Sequence, residues 1–507
     1  MKNSFIPSIK KETLLFFIGL LSVLLLVFKI YLPICNSYFT ADDFSIIASC
    51  KADGFSLKRL ETFYGVHFHP LTNLLWTVEY SLWRTNAKNY YLLSITMHLC
   101  SVLLTILIFY FLFPNKIIGI LSGLFFGICP AHWRTVIFIG TQAQVMATFW
   151  FLQSILYFIL FMRTQKRILY MISILAHLFT LLSFSSGFEM PLGVIFLSFF
   201  ISKNNVSPLR AKIKLAIPYF FNILSILLIK WILSSHIGVE PIGGIKAFIM
   251  KVPIALRFVI GGMFFRYVLS FLGVYGFRYL FHDMMMVYFY VCIILFLYLL
   301  MMDWESIKKY RRYLCYAPIW IFCIYFLPAI GRIPWGYSWF VSVSRYAYRG
   351  CPFAAACWTI CLVSLRVFKR PYSLVRVLLL FLVIFFNTLV FFSNIGFMQR
   401  QIQLTVLSSN AFKRVSKVYI RNLKKLIGLS SSPFYIIDKV IIHDYVAWNV
   451  TSATVAKIYL NDADLKHVYF LDEKKIRKIL PYTKLPVYYV NYDGNIYRFN
   501  KRSLKNR

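Results

Sequence analysis

Leu14–Leu32 reads LLFFIGLLSVLLLVFKIYL, 19 residues with a single charge at Lys29. At 1.5 Å rise per residue, a helix of that length covers about 30 Å, the hydrocarbon thickness of a bilayer. Lys2, Lys10 and Lys11 precede it, as they would in a secretory leader. However, the run is longer than a leader's apolar core and no small-x-small cleavage pattern follows. The expectation is an uncleaved first span with its N-terminus in the cytoplasm.

The rest of the chain repeats that pattern. Its 507 residues are 60% hydrophobic, 19% aromatic and 14% charged, with a mean hydropathy of +0.68. A soluble domain is nearer 45–50% apolar and about 25% charged. Runs long enough to cross fall near 14–33, 91–113, 117–130, 135–162, 168–185, 189–202, 214–234, 284–302, 313–330, 351–367 and 373–394. Basic residues cluster at Arg163–Arg167, Lys203–Lys214, Lys308–Arg312 and Arg366–Arg370, all on one side if the N-terminus is cytoplasmic. The expected fold is a polytopic α-helical membrane protein with about 11 transmembrane helices, residues 1–395. The net charge of +37 sits between the spans and in the tail, which points to lipid headgroups or lipid phosphates rather than nucleic acid.

This topology puts 34–90, 131–136, 186–188, 235–283 and 331–350 outside. Within 54–86, Phe55, Leu57, Leu60 and Phe63, then Leu71, Leu74, Leu75, Val78 and Leu82, recur at helical spacing and predict amphipathic surface helices. The loop 235–283 carries Lys246, Lys251, Arg257, Arg266 and Arg278 among apolar residues and predicts the same. From about Gln399 charges return. An amphipathic helix over 399–427 leads to strand-like runs at 434–437, 457–460, 467–470 and 487–490, with a turn at 491–495. Residues 396–507 thus form a small α/β domain, extracytoplasmic if eleven spans is right. It has 20 Lys and Arg against 7 Asp and Glu.

Residues able to do chemistry gather on the outer face. Asp42 and Asp43 lie in Tyr38-Phe39-Thr40-Ala41-Asp42-Asp43-Phe44. A helix cap accounts for one aspartate but not readily for both. His67-Phe68-His69-Pro70 carries a His-x-His that is weak as a metal site without a third ligand, and Pro70 suits the first turn of a helix. Cys129-Pro130-Ala131-His132-Trp133-Arg134 joins two spans, and Gln142 and Gln144 open the next. Glu189 interrupts apolar sequence in Ser186-Gly187-Phe188-Glu189-Met190-Pro191, where it lines a polar cavity or holds a salt bridge. Ser344-Arg345-Tyr346-Ala347-Tyr348-Arg349 offers a planar guanidinium for phosphate, with tyrosine hydroxyls beside it. The ten cysteines show no CxxC or zinc-ligand spacing and most read as small hydrophobes; Cys35 and Cys50, both on the outer side, could form a disulfide, with free thiols the preferred reading. No Walker loop, GxSxG elbow, HExxH or kinase set occurs, which disfavours nucleotide-driven enzymes and pumps.

In order and sidedness these motifs resemble the GT-C superfamily of membrane glycosyltransferases, nearest to bacterial relatives of the protein O-mannosyltransferases and the TPR-containing O-mannosyltransferases. Asp42-Asp43 match the double acid after the first span. Phe68-His69-Pro70-Leu71-Thr72 matches an aromatic-Arg-Pro-Leu segment with His69 in place of Arg. Residues 129–134 match loosely, with Arg134 near the position where an acid is common. Glu189 is kept without its usual Lys, and Arg345-Tyr346-Ala347-Tyr348 matches well. The resemblance covers about 1–395; the tail is not TPR-like.

The resemblance implies transfer of a sugar from a polyprenyl-phosphate donor to an acceptor protein, lipid or cell-wall polymer outside a bacterial inner membrane. It implies Asp42 or Asp43 as general base with inversion, Asp42 being preferred with Asp43 as its positioner or acceptor contact, and substrate binding by His69, Arg134, Glu189, Arg345, Tyr346 and Tyr348. No cofactor and no metal are required. The competing expectations are a lipid-linked saccharide flippase and a non-catalytic envelope-assembly protein. A flippase would concentrate charge within the membrane and show repeat symmetry, and this chain does neither.

Overall fold

A computed structural model describes residues 11–40, 42–61, 63–64, 67–184, 187–201, 209–237, 251–256, 259, 265–272, 304–332, 348–365, 374–430, 432–437, 440–442, 450–471, 475, 483, 485–490 and 495–498. The first run forms helix α1 (Lys11–Tyr31). Val23, Val27 and Ile30 on one face are buried, while Leu14, Leu15, Phe17, Ile18, Leu21 and Leu25 are exposed. Phe220, Phe221, Leu224, Leu228 and Trp231 are exposed on Leu209–Ile237, and Phe381, Ile384, Phe385 and Phe392 on Leu374–Leu429. Rows of this size are what a bilayer covers. The protein is an integral membrane protein.

Five helices among the described residues are long and apolar enough to cross, or six if α6 (Lys116–Gly127) and the segment Pro130–Ile137, bent by 42°, act as one. The expected spans at 168–185, 189–202 and 351–367 correspond to shorter apolar helices, Arg167–Ser183 (α9), Met190–Ile201 (α10) and Cys351–Val363. The span expected at 313–330 lies within helix Trp304–Arg332. The span at 284–302 and most of 235–283 fall outside the described residues.

α5 (Ala87–Leu112) runs through the middle, against α1, α6 and α8 (Gln142–Thr164). Glycines let α6 approach closely: a Cβ on Gly119 would stand 2.7 Å from the Ile106 carbonyl oxygen, and Gly123 faces the Ile106 side chain one turn on. Small residues at this spacing are a common means of close helix packing in membranes.

Two departures from expectation concern the C-terminal part of the chain. The span predicted at 373–394 and the amphipathic helix at 399–427 are one continuous 56-residue helix, Leu374–Leu429. Beyond the apolar part it buries Met398, Ile402, Thr405, Ser409, Phe412, Ser416, Tyr419 and Leu423. These steps of four and three make a seam along one side, which packs on Leu32–Asn36 and on the tail. In the tail, β3 (Phe434–Ile437) lies parallel between β6 (Val468–Leu471) and β7 (Val487–Val490), and β7 pairs antiparallel with β8 (Ile496–Arg498). The strand expected at 457–460 is instead largely helix Ser452–Tyr459, followed by Leu460. Val455, Ala456, Ile458 and Leu460 are buried there, and an apolar run this short does not distinguish strand from helix.

Candidate active site

The aspartate pair opens helix α2 (Asp42–Asp53), where the helix's positive end favours acids. The two residues have opposite fates. Asp42 is exposed and Asp43 is buried, 1% exposed. The Asp43 carboxylate accepts from Thr40 N (2.9 Å) and Thr40 Oγ1 (3.1 Å) through Oδ2, and from Gly140 N (2.9 Å) through Oδ1. It thereby ties the start of α2 to the turn before α8. Burial pushes its pKa up to about 7 against the pull of those hydrogen bonds, with Asp42's charge adding to the rise.

The backbone leading to the pair is held from several sides. Tyr38 N donates to Ser409 Oγ at 3.1 Å, and Tyr91 Oη donates to the Tyr38 carbonyl at 2.9 Å. Asn410 Nδ2 donates to the Asn36 carbonyl, and Lys413 stands over the Tyr38 ring. Lys51, in the last turn of α2, donates to the carbonyls of Lys457 (3.0 Å), Ile458 (3.2 Å) and Leu460 at the end of helix Ser452–Tyr459. The tail therefore docks on the helix that carries the aspartates.

His69 is the N-cap of α4 (Pro70–Trp83), with Pro70 in the first turn as its sequence suggests. Its ring is buried against Trp76 and Phe184, and burial, with Arg59 and Lys230 adding, holds its pKa down at about 4. The imidazole is therefore neutral near pH 7 and cannot supply the permanent charge of an arginine. α4 turns its polar side inward: Thr72, Asn73, Thr77 and Glu79 are buried, while Leu74, Val78 and Leu82 are exposed. That orientation suits a helix lying on the membrane. The stretch before it differs from the helices expected. It is a short helix, Leu57–Glu61, followed by a two-residue hairpin pairing Phe63 with Phe68 and Tyr64 with His67.

Sequence reasoning missed Glu79 and Arg59. Gln142 Nε2 donates to Glu79 Oε1 (2.9 Å) and Gln142 Oε1 accepts from Trp76 Nε1 (2.8 Å), which links α4 to α8. Burial raises Glu79 to about 8, with Gln142 pulling down and Asp43's charge pushing up. Arg59, also buried, donates to Ser49 Oγ (2.8 Å) and Cys50 Sγ (3.0 Å). The spacing Thr72, Trp76, Glu79 marks one helical face and could have revealed the acid.

The other expected residues are distributed differently. Glu189 Oε1 lies 3.1 Å from Arg349 Nε, both side chains being at most 10% exposed, and Arg349 also covers the Phe151 ring. Tyr348 is fully buried, 2.7 Å from His98 Nδ1. Arg134 lies over the Trp133 ring. Arg345 and Tyr346 fall outside the described residues. Asp42, Asp43, Glu79 and Gly140 are thus brought together. Glu189 and Tyr348 form separate internal pairs. Beside the aspartate segment, a cavity of about 380 Å³ is lined by Tyr38, Lys88, Lys413, Lys417 and Tyr459 among others.

An apolar helical bundle that holds a buried, hydrogen-bonded acid makes an integral membrane protein with a built polar site. Among solved structures, the chain is similar to ArnT from Cupriavidus metallidurans bound to undecaprenyl phosphate, with a TM-score of 0.49 and 12% identity over 94% of this chain and 93% of that one. The apo form of the same ArnT gives 0.48 at 11% identity. The oligosaccharyltransferase of Archaeoglobus fulgidus tethered with an acceptor peptide gives 0.44 at 11% identity, over 89% of this chain and 64% of that one, so this chain spans less than two thirds of it. No protein-family model and no curated protein matches the chain.

Proposed function

We propose that the protein is a glycosyltransferase that moves a sugar from a polyprenyl-phosphate donor to an acceptor on the extracytoplasmic face of a bacterial inner membrane. The observation that carries this reading is the unequal pair, an exposed Asp42 riding on a buried, triply hydrogen-bonded Asp43. Asp42 takes the acceptor's proton as its oxygen attacks the anomeric carbon. The bond from that carbon to the lipid phosphate breaks, and the configuration inverts. The phosphate leaves without protonation, so one carboxylate suffices, whereas a glycosidase commonly needs an acid and a base. Arg345 and Tyr346 hold the departing phosphate in this scheme, and Arg134 and the neutral His69 border the substrate. Glu189 and Tyr348 position the neighbouring segments through Arg349 and His98. The lysine-lined cavity beside Tyr38 suits an acidic acceptor, such as a phosphate-bearing polymer.

The test is sugar transfer from a synthetic polyprenyl-phosphate sugar by the purified protein. Asp42→Asn is expected to lower the rate about 10²–10⁴-fold, the usual worth of a general base. Undiminished transfer by Asp42→Asn would sink the base assignment. No transfer from any such donor, with lipid-linked saccharide moved across vesicles instead, would favour a flippase.

A further inference from the structure

The geometry points to a divalent zinc-type metal site formed by Cys129, His132 and Cys351, separate from the aspartate site. The two sulfurs and a ring nitrogen of His132 lie within 4.8 Å of one another, and the three residues are 0–1% exposed. Two preformed turns present them. Cys129 precedes the turn Pro130–His132, whose proline fixes the backbone so that thiol and imidazole stand three residues apart. Cys351 opens helix Cys351–Val363, its N–H on the Tyr348 carbonyl at 3.3 Å and a proline next in the chain.

The surroundings are those of a ligand set rather than of buried hydrophobes. His132 Nε2 is 2.9 Å from the Phe126 carbonyl, so that nitrogen carries the proton and the lone pair is on Nδ1. Metal-bound histidines commonly donate their other N–H to a carbonyl in this way, which fixes both tautomer and ring angle. Tyr348 stands edge-on to the His132 ring at 4.9 Å, with its hydroxyl engaged by His98. Two thiols alone would equally suit a disulfide, but a disulfide has no use for an imidazole at the same point. Charge selects the ion. On binding, both thiol protons leave to solvent, and two thiolates with a dication sum to zero. That is the balance an enclosed apolar setting tolerates; a monocation would leave a buried negative charge. Sequence spacing hides the cluster because the third ligand comes from a distant span. Such an ion would staple the end of α6 to the start of helix Cys351–Val363, next to Tyr348 and Arg349.

The experiment uses the full chain purified in detergent, washed with chelator and then reloaded with zinc alone. We expect one zinc per chain by elemental analysis, its loss in Cys129→Ser/Cys351→Ser and in His132→Ala, and its retention in Cys35→Ser/Cys50→Ser. X-ray absorption at the zinc edge of the wild-type protein needs no variant to fold, and should show sulfur neighbours at about 2.3 Å. Zinc with only oxygen or nitrogen neighbours, retention by the double serine variant, or a Cys129–Cys351 disulfide found by non-reducing peptide mapping would each overturn the proposal. None of these readouts depends on glycosyl transfer.

Discussion

Asp43→Asn removes the buried charge of the aspartate pair while keeping its shape. In the wild type the carboxyl has a pKa of about 7 against 3.8 for an unperturbed aspartate, chiefly through burial. Between those values the folded state holds a proton that the unfolded state has lost, so this group's contribution to stability falls as pH rises from about 4 to about 7 and is level above that. The rise of about 3 units, at 1.36 kcal/mol each, sets a ceiling near 4 kcal/mol on the change. Asparagine does not titrate. It has one acceptor oxygen for three donors, Thr40 N, Thr40 Oγ1 and Gly140 N, so its amide nitrogen must face an N–H on one side. That mismatch costs about 1–3 kcal/mol at every pH. The variant should therefore be less stable than wild type near pH 4, and should draw level with it or pass it by pH 8. His69, lowered to about 4, titrates alike in both proteins, while Glu79, raised to about 8 in part by Asp43's charge, is raised less in the variant. The assay is the apparent melting temperature of both proteins in detergent from pH 4 to 8. A difference that does not change with pH would refute the reasoning, because the three hydrogen bonds would then have kept Asp43 ionised throughout.

Asp42→Asn, on the surface, should lower transfer about 10²–10⁴-fold while leaving the protein folded in the same assay. Glu189→Gln leaves Arg349 buried without its countercharge and should cost about 3–5 kcal/mol in detergent unfolding. Replacing both, as Glu189→Gln/Arg349→Met, should recover much of that loss. Lys51→Met removes a cation from the carbonyl end of helix Ser452–Tyr459. Hydrogen exchange across 452–460 should accelerate by an amount matching about 1–2 kcal/mol, with α5 unaffected. Gly119→Ala forces a methyl towards the Ile106 carbonyl and should destabilise by about 1–3 kcal/mol, whereas Gly396→Ala, with open space around it, should stabilise by about 0.5–1 kcal/mol in thermal unfolding.

Much of this architecture is legible in the chain because a bilayer imposes a coarse rule. The largely apolar run of nineteen residues from Leu14 is long enough to cross, and Pro70 suits a position where a helix begins. What stays hidden depends on contacts between distant segments. Glu79 shares a helical face with Thr72 and Trp76 that is legible in the spacing, but that this face turns inward towards Gln142 is not. The unequal burial of Asp42 and Asp43 depends on Gly140, which belongs to the turn before α8. Glu189 carries a correct alternative in its sequence setting, a salt bridge, but the choice of Arg349 as partner depends on the turn before helix Cys351–Val363 meeting the start of α10. The long helix Leu374–Leu429 reads as two because its composition changes at Gln399, although its backbone does not break.

The pairing of neighbouring aspartates has a structural use here. A lone exposed carboxylate at a helix start could swing with its loop, and a misplacement of about 1 Å is enough to cost a catalyst heavily. Asp43 spends its hydrogen-bonding capacity on Thr40 and Gly140, while Ser409 and Tyr91 hold Tyr38 from opposite sides. Ser409 belongs to the long helix, and that helix also packs against the tail docked on Lys51. The frame that fixes Asp42 is therefore closed through the tail as well as the helical bundle. A movement of the tail would reach the aspartate along two routes, through α2 directly and through Ser409. Displacing the tail should accordingly impair transfer even though it contributes no reacting group.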